Sequence, residues 1–209
     1  LSHGGFFQDA VDSLTAIVAS HPEVRPKVRA DCYIALGRIY HNLADYTADD
    51  IYNPLYNRLG NEALAKALPL VADTSTTLWL HGKIALKEGN LKEARNCYEQ
   101  AAVVLAGRDS ISTIIHSTLG GIYNRFGEYD LAIEYYTTAA IINIKSAKTE
   151  SVALRGLATV LFYYKHDVNR ATEYINIALD DATTYSSRHR QLIIGNLLPI
   201  IVGEKLTII

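Results

Sequence analysis

The chain has 209 residues, 49% of them apolar and 20% charged, with a formal net charge of −2. That length holds one large domain or a continuous repeat array, and the apolar share is enough for a real core. The balance lacks the basic excess of a DNA-binding domain, and the charged share is too high for an ordinary membrane protein. Cys32 and Cys97, with no CxxC, suit neither a disulfide framework nor a zinc site and are expected as buried thiols.

In chain order, the first residues lack a charged stretch followed by an apolar one, so no export signal is read there. The last two residues are Ile208 and Ile209, and we expect the chain to be the ordered piece of a longer protein. Gly5, Phe7, Ala10 and Leu14 are spaced like the second helix of a pair, giving a partial unit over 1–20. Gly37, Tyr40 and Tyr46 mark a first helix and its turn. Asn53-Pro54 and Leu59-Gly60-Asn61 then interrupt the pattern, so a broken or inserted helix is expected within an irregular unit over 28–70.

Two clear units follow, over 75–106 and 112–144. Each has a small residue (Gly82, Gly120), a glycine seven later (Gly89, Gly127) and an alanine five after that (Ala94, Ala132). A tyrosine (Tyr98, Tyr136) and a further alanine (Ala101, Ala139) complete the series. The small residue admits a neighbouring helix, the glycine turns the chain, and the ring plugs the gap to the next unit. A weaker unit over 150–184 has His166-Asp167 at its turn, Ala171 and Ala178 on its second helix, and Ile175 in the aromatic slot. A capping helix is expected over 187–209.

This spacing resembles the tetratricopeptide repeat, with anchor alanines 38 and 39 residues apart instead of the usual ~34, or about one extra helical turn per unit. The expected fold is all-α, a single domain over 1–209 built as a right-handed superhelix of tetratricopeptide-like helix pairs (an α-α solenoid). Six tyrosines (Tyr40, Tyr46, Tyr98, Tyr123, Tyr129, Tyr136) fall in slots that place them in the core, whereas Tyr163, Tyr164 and Tyr185 are candidates for a contact surface.

Motifs of catalysis are missing from the sequence: it has no HExxH, GxSxG, GxxxxGK[ST] or GxGxxG. The seven histidines have no metal-ligand pairing, and Asp45, Asp49 and Asp50 lack the glycine and terminal Glu of a calcium loop. We expect no catalytic residue, no metal and no cofactor, and therefore a binding protein instead of an enzyme. Stacked pairs leave a concave groove lined by one face of the first helices. Helical periodicity assigns to it Arg38, His41 and Asn42, then Trp79, Lys83 and Lys87, then Ser117, Asn124 and Arg125, then Tyr163 and Tyr164. That list has four cations, three aromatic rings and no carboxylate, which suits an anionic or polyhydroxylated ligand. The competing account is a solvated face with snorkelling lysines.

The C-terminal third carries a more specific signature. It runs from Ala139 to Glu150 through Ile144-Lys145-Ser146-Ala147, continues with Arg170-Ala171-Thr172-Glu173-Tyr174-Ile175, and then with Ala178-Leu179-Asp180-Asp181-Ala182. It closes with Tyr185-Ser186-Ser187-Arg188-His189-Arg190 and Leu198-Pro199-Ile200-Ile201, and Leu43 to Tyr46 also fit. These blocks resemble the sensor half of SusR-type regulators, membrane-bound transcription regulators of polysaccharide-utilising gut bacteria. The resemblance implies a periplasmic tetratricopeptide region of an inner-membrane protein, followed outside this chain by a membrane helix and often a DNA-binding end. An oligosaccharide or a partner protein would occupy the groove, and a change in repeat curvature or homodimer geometry would pass on through the C-terminal helix. This piece would make no nucleic-acid contact itself. Glu150, Arg155, Arg188 and Arg190 are read as structural pairing groups, for example Asp180 or Asp181 with Arg188 or Arg190. The alternative function is a cytoplasmic tetratricopeptide scaffold that clamps acidic peptide tails.

Overall fold

Helical periodicity runs through almost the whole chain, and the described residues hold ten α-helices and no strand. The computed structural model describes residues 7–20, 25–47, 50–105, 110–146, 152–184 and 188–207. The helices are α1 (Phe7–Ser20), α2 (Pro26–Thr47), α3 (Tyr52–Ala67), α4 (Thr74–Lys87), α5 (Leu91–Leu105), α6 (Ser110–Phe126), α7 (Tyr129–Lys145), α8 (Val152–Lys165), α9 (Val168–Thr184) and α10 (Arg188–Thr207). A single 3-10 turn, Leu68–Leu70, follows α3. The chain divides into two units, Leu1–Ala101 and Ala102–Ile209.

In the first unit α1 lies on α2, α2 on α3, and α3 on α4. The α2–α3 crossing is backbone against backbone. A Cβ placed on Gly37 would stand 3.1 Å from the Gly60 carbonyl oxygen, and one on Gly60 would stand 3.1 Å from that of Gly37. Leu64 covers Gly37 and the His41 ring covers Gly60. Ala10, Val11, Leu36, Ile39 and Ala63 form the adjoining core, flanked by Phe7, Leu14, Tyr33, Tyr40 and Leu43. Between α4 and α5 the close approach is Gly82 against Tyr98, which is buried.

In the second unit each helix packs on the next, and α6 also touches α8, the first-helix to first-helix contact of a solenoid. Tyr136 fills the space left by two glycines, Gly120 on α6 and Gly156 on α8. Ile115, Leu119, Ile122, Val160, Ile175 and the alanines of α7 and α9 complete the core, and α10 seals α9 with Ile194 and Ile201. The expected pairing at this end is seen in part: the Arg190 charge acts on Asp181, whose carboxyl is nonetheless pushed up by burial and by Asp180. Glu150 lies outside the described residues. None of the described helices is long and apolar enough to cross a membrane.

The ends of the helices show local chemistry at work. Asp73 precedes α4 and accepts from the Thr76 N–H at 2.8 Å, the Ser75 hydroxyl at 2.7 Å and the Thr76 hydroxyl at 2.5 Å. These bonds hold its carboxyl down to about 2. Asp167 does the same before α9, accepting from the Arg170 N–H at 3.0 Å and from Arg170 Nε at 2.6 Å. Three turns between paired helices use a residue of positive φ: Gly89 at 81°, Gly127 at 78° and His166 at 54°.

The sequence expectations need correction at three places. Where a broken or inserted helix is expected, the broken alternative falls, since α3 runs unbroken from Tyr52 to Ala67. Pro54 falls in its first turn, where a missing N–H leaves no helical bond unmade, and Gly60 is the crossing point instead of a breaker. Tyr46, assigned to the core, is 53% exposed because it lies in the last turn of α2, with its ring 6.4 Å from that of Phe7. Tyr40 and Tyr129 are half-buried, whereas Tyr98, Tyr123 and Tyr136 are core residues. Cys32 is buried and Cys97 half-buried, both free thiols.

Candidate functional site

Six of the residues assigned to a groove belong to the first unit. Arg38, His41 and Asn42 occupy one stretch of α2, and Trp79, Lys83 and Lys87 follow one another at helical spacing on α4. Arg38 and Asn42 are exposed, Lys83 and Lys87 are half-buried, and His41 and Trp79 are buried at 0% and 4% exposure. Trp79 therefore offers no ring face to a ligand. It packs in the core, with its indole N–H buried and without a partner among the described residues.

His41 is the hub of this cluster. Its Nε2–H donates to Asn61 Oδ1 at 3.0 Å, while Nδ1 is buried and has no partner among the described residues. Burial, with help from the Lys83 and Lys87 charges, pulls the imidazole down to about 3, so it is neutral at ordinary pH. Burial and the neighbouring Lys87 hold the Lys83 amine down to about 8, with Asp45 opposing and Arg38 assisting. Lys87 Nζ lies 2.6 Å from Asp45 Oδ1, an ion pair that ties α4 to α2. That pair corrects the expectation of a face without carboxylates. Asp45 stands one turn beyond His41 on the same side of α2, and the same periodicity that selected His41 selects it too.

Asn61 extends the cluster onto α3. Its Nδ2 lies 3.5 Å from both the Ile84 carbonyl and Glu88 Oε1. Beside it is a cavity of about 630 Å³ between α3 and the end of α4. None of its α3 residues was assigned to a binding site from the sequence, where Asn53, Pro54 and Asn61 were read as interruptions. The available signal was asparagine every fourth residue at positions 53, 57 and 61, in the stretch read as interrupted.

The remaining groove assignments, Ser117, Asn124, Arg125, Tyr163 and Tyr164, belong to the second unit. Ser117 is half-buried. Asn124 is also half-buried, with its Oδ1 buried and unpartnered, and Arg125 is exposed. Arg125 and Arg155 both act on the Tyr136 phenol, which burial pushes up. Burial also pulls the Arg155 guanidinium down, with Tyr136 opposing. Tyr163 and Tyr164 are 45% and 43% exposed. Tyr164 stacks on Tyr129 with ring centroids 3.7 Å apart, and Tyr163 meets Phe162 edge-on at 4.9 Å. Tyr185 lies outside the described residues.

No group of three or more metal-ligating side chains occurs among the described residues. The arrangement offers hydrogen-bonding amides, partly shielded cations and exposed rings, which is binding chemistry.

Solved structures similar to this chain are helical repeat proteins. A T3SS complex from Aeromonas hydrophila superposes with a TM-score of 0.55 at 20% identity, covering 68% of this chain and 89% of that one. The type III secretion translocator chaperone SycD of Yersinia enterocolitica gives 0.53 at 19% identity, with 66% and 96% covered. Nearly identical TPR-like (tetratricopeptide-like) repeats from Podosopora anserina give 0.54 at 16% identity, with 81% and 88% covered. At these identities the likeness establishes the fold, an α-α solenoid. No curated protein matches the chain. A family model described as the SusR N-terminal TPR domain matches residues 1–196, and the chain belongs to that family.

Proposed function

We propose that this chain is the sensing region of a membrane-anchored transcription regulator of carbohydrate utilisation, placed in the periplasm and acting by binding instead of catalysis. The observation that carries the reading is the family match over residues 1–196. The sites support it: the first unit offers amides and shielded cations, and the second offers exposed tyrosines. A glycan fragment or a partner protein would bind, and the change would reach the membrane through α10 or through a homodimer. Nucleic acid would be contacted elsewhere in the intact protein.

The test has two arms. Fractionation of cells expressing the intact protein should place it in the inner membrane, with this region open to protease from the periplasmic side. A thermal-shift screen against oligosaccharides should then give a hit, since a ligand at ~100 times its Kd adds about 2.7 kcal/mol. Recovery of the intact protein in the cytoplasm would refute the reading.

A second reading rests on Lys83, Lys87 and Arg38, whose charges act on one another across α2 and α4. It is a cytoplasmic scaffold for acidic peptide tails. It requires acidic peptides to bind the wild type and to be lost in Lys83→Ala. The Lys87–Asp45 ion pair weakens it, because one of the three cations is already neutralised.

A further inference from the structure

The cavity of the first unit has a lining that no groove assignment includes. Asn53, Asn57 and Asn61 face it from α3, one helical turn apart and so about 6 Å from each other. Their bonding is incomplete. Asn53 Nδ2 donates to the Ala44 carbonyl at 2.8 Å, and Asn57 Nδ2 donates to Asn53 Oδ1 at 2.9 Å. Asn57 Oδ1 is buried with no partner among the described residues. Asn61 Nδ2 reaches its two acceptors only at 3.5 Å, the far edge of hydrogen-bond range. An amide has two donor hydrogens and two acceptor lone pairs, so each of the three amides has bonding capacity that these protein partners do not use up.

The cations around these amides are each paired, and one carboxylate, Glu88, is left over. Arg58 and Glu62 lie 3.8 Å apart on the rim, Lys87 is bound to Asp45, and Glu88 sits beside Asn61. A phosphate or a carboxylate would therefore find no uncompensated cation here and would meet the Glu88 carboxylate, while an ammonium would have Glu88 alone and leave the asparagine ladder unused. A purely apolar ligand would strip water from the amides and give nothing back. Hydroxyl groups both donate and accept, and two on adjacent carbons can meet one amide at its oxygen and its nitrogen together. Pro54, Ala65 and Ile84 supply the apolar wall that the C–H faces of such a ligand need. The volume, about 630 Å³, is in the range of small-molecule sites.

We propose that the cavity between α3 and α4 binds an uncharged polyhydroxylated ligand, a sugar or short oligosaccharide, read by the asparagine ladder Asn53, Asn57 and Asn61. This rests on the reading of the chain as a sensor, and it gives that sensor a site and a ligand class.

Isothermal titration of this chain against neutral gluco-, xylo-, manno- and fructo-oligosaccharides of two to six units tests it, with uncharged Ala/Ser peptides as the contrast. One sugar series should bind. Asn57→Ala should weaken it at least tenfold. Ala65→Trp, which fills the cavity from an exposed position and leaves every amide in place, should abolish the heat. Ile177→Ala, on the exposed side of α9 in the other unit, should change nothing, Tyr163→Ala tests the exposed tyrosines as a rival site, and melting curves should show that all four variants fold. Sugar binding indifferent to Asn57→Ala and Ala65→Trp but lost in Tyr163→Ala would overturn this site and leave the sensor reading intact. Peptide binding blocked by Ala65→Trp, or no sugar binding at all, would overturn the ligand class. Cytoplasmic recovery of the intact protein would remove the sensor reading without touching these titrations.

Discussion

The two units use glycine to bring helices together, but they fill the resulting space differently. In the first, Gly37 and Gly60 let two backbones touch, and the neighbouring space holds Leu64 and the imidazole of His41. In the second, Gly120 and Gly156 stand on different helices and share one ring, Tyr136. The polar filling has a consequence the aromatic one does not. His41 engages Asn61 and leaves amide and imidazole valences unmet beside a cavity. The Tyr136 ring closes its gap, Arg125 and Arg155 act on its phenol, and Tyr129 stacks on the exposed Tyr164. One helical scaffold thus presents a polar-lined cavity in one unit and exposed aromatic rings in the other.

The largest expected effects break this comparison directly. Gly60→Ala drives a methyl into the His41 ring and to 3.1 Å from the Gly37 carbonyl, and Gly156→Ala drives one into the Tyr136 ring. Each should destabilise its unit by about 3 kcal/mol, the upper part of the overpacking range, in urea melts. Double mutants separate them. In a Tyr136→Leu background Gly156→Ala should become nearly neutral, since only a side chain stood in the way. In a His41→Ala background Gly60→Ala should still cost about half its original value, because the Gly37 carbonyl is backbone and cannot yield. Equal rescue in both backgrounds would show that the first crossing is a side-chain contact after all.

The next effect distinguishes the two fillings by pH. His41 titrates at about 3 in the fold against an ordinary value of 6.5. Between those values the unfolded chain binds the extra proton, so stability is complete above the unfolded pKa and is lost as pH falls toward the folded one. From pH 6.5 to 5 the loss should be about 1.5 kcal/mol, above the range where carboxylates titrate. His41→Gln should flatten the slope in that window. Tyr136→Phe in the second unit should leave it unchanged, because a phenol does not titrate there. A slope that survives His41→Gln would mean that another group is the acid-sensitive one.

Much of this was legible in the sequence for physical reasons that also explain what was not. The series Gly82, Gly89, Ala94, Tyr98 and its copy from Gly120 to Tyr136 fixed helix pairs because close packing leaves few residue choices at those slots. Even His166 was readable as a turn from its distance to Ala171. Burial of Trp79 and His41 was not readable, since a first helix in a stack is covered on more than one side and periodicity gives direction without depth. The Asn53, Asn57 and Asn61 ladder was hidden for another reason. Proline and glycine were taken as breakers, whereas Pro54 sits where no N–H is needed and Gly60 sits where a helix crosses. Asp45 was set aside as part of an acidic cluster, although its spacing from His41 placed it on the same face of α2.

Smaller effects compare the caps. Asp73→Ala and Asp167→Ala each remove an N-cap and should cost about 1 kcal/mol by thermal melt. Asp73→Ala should cost more, because it also strands the hydroxyl of Ser75, which is 4% exposed, whereas Arg170 remains exposed to water. The depressed folded pKa of Asp73 gives the matching acid dependence. Its contribution is present above its ordinary value of 3.8 and is lost as pH falls toward about 2. Asp73→Asn, which keeps an acceptor without the titration, should recover much of the stability and remove that dependence.

The smallest effect compares turns. Gly89 in the first unit and His166 in the second both follow the first helix of a pair at positive φ. Behind Gly89 the Asn90 N–H reaches the Ala85 carbonyl at 2.9 Å, and behind His166 the Asp167 N–H reaches the Leu161 carbonyl at 3.0 Å, a loop one residue wider. A residue with a Cβ pays about 1–2 kcal/mol to hold the left-handed conformation, partly offset by the entropy a glycine loses on folding. His166 is exposed, so replacing it removes no buried contact. His166→Gly should therefore stabilise the second unit by about 0.5–1 kcal/mol, whereas Gly89→Ala should destabilise the first by about 1 kcal/mol. Opposite signs at equivalent positions are the expected outcome in paired melts. If His166→Gly instead destabilises, the imidazole makes a contact that holds the turn, and histidine is there for that contact despite the conformation it must adopt.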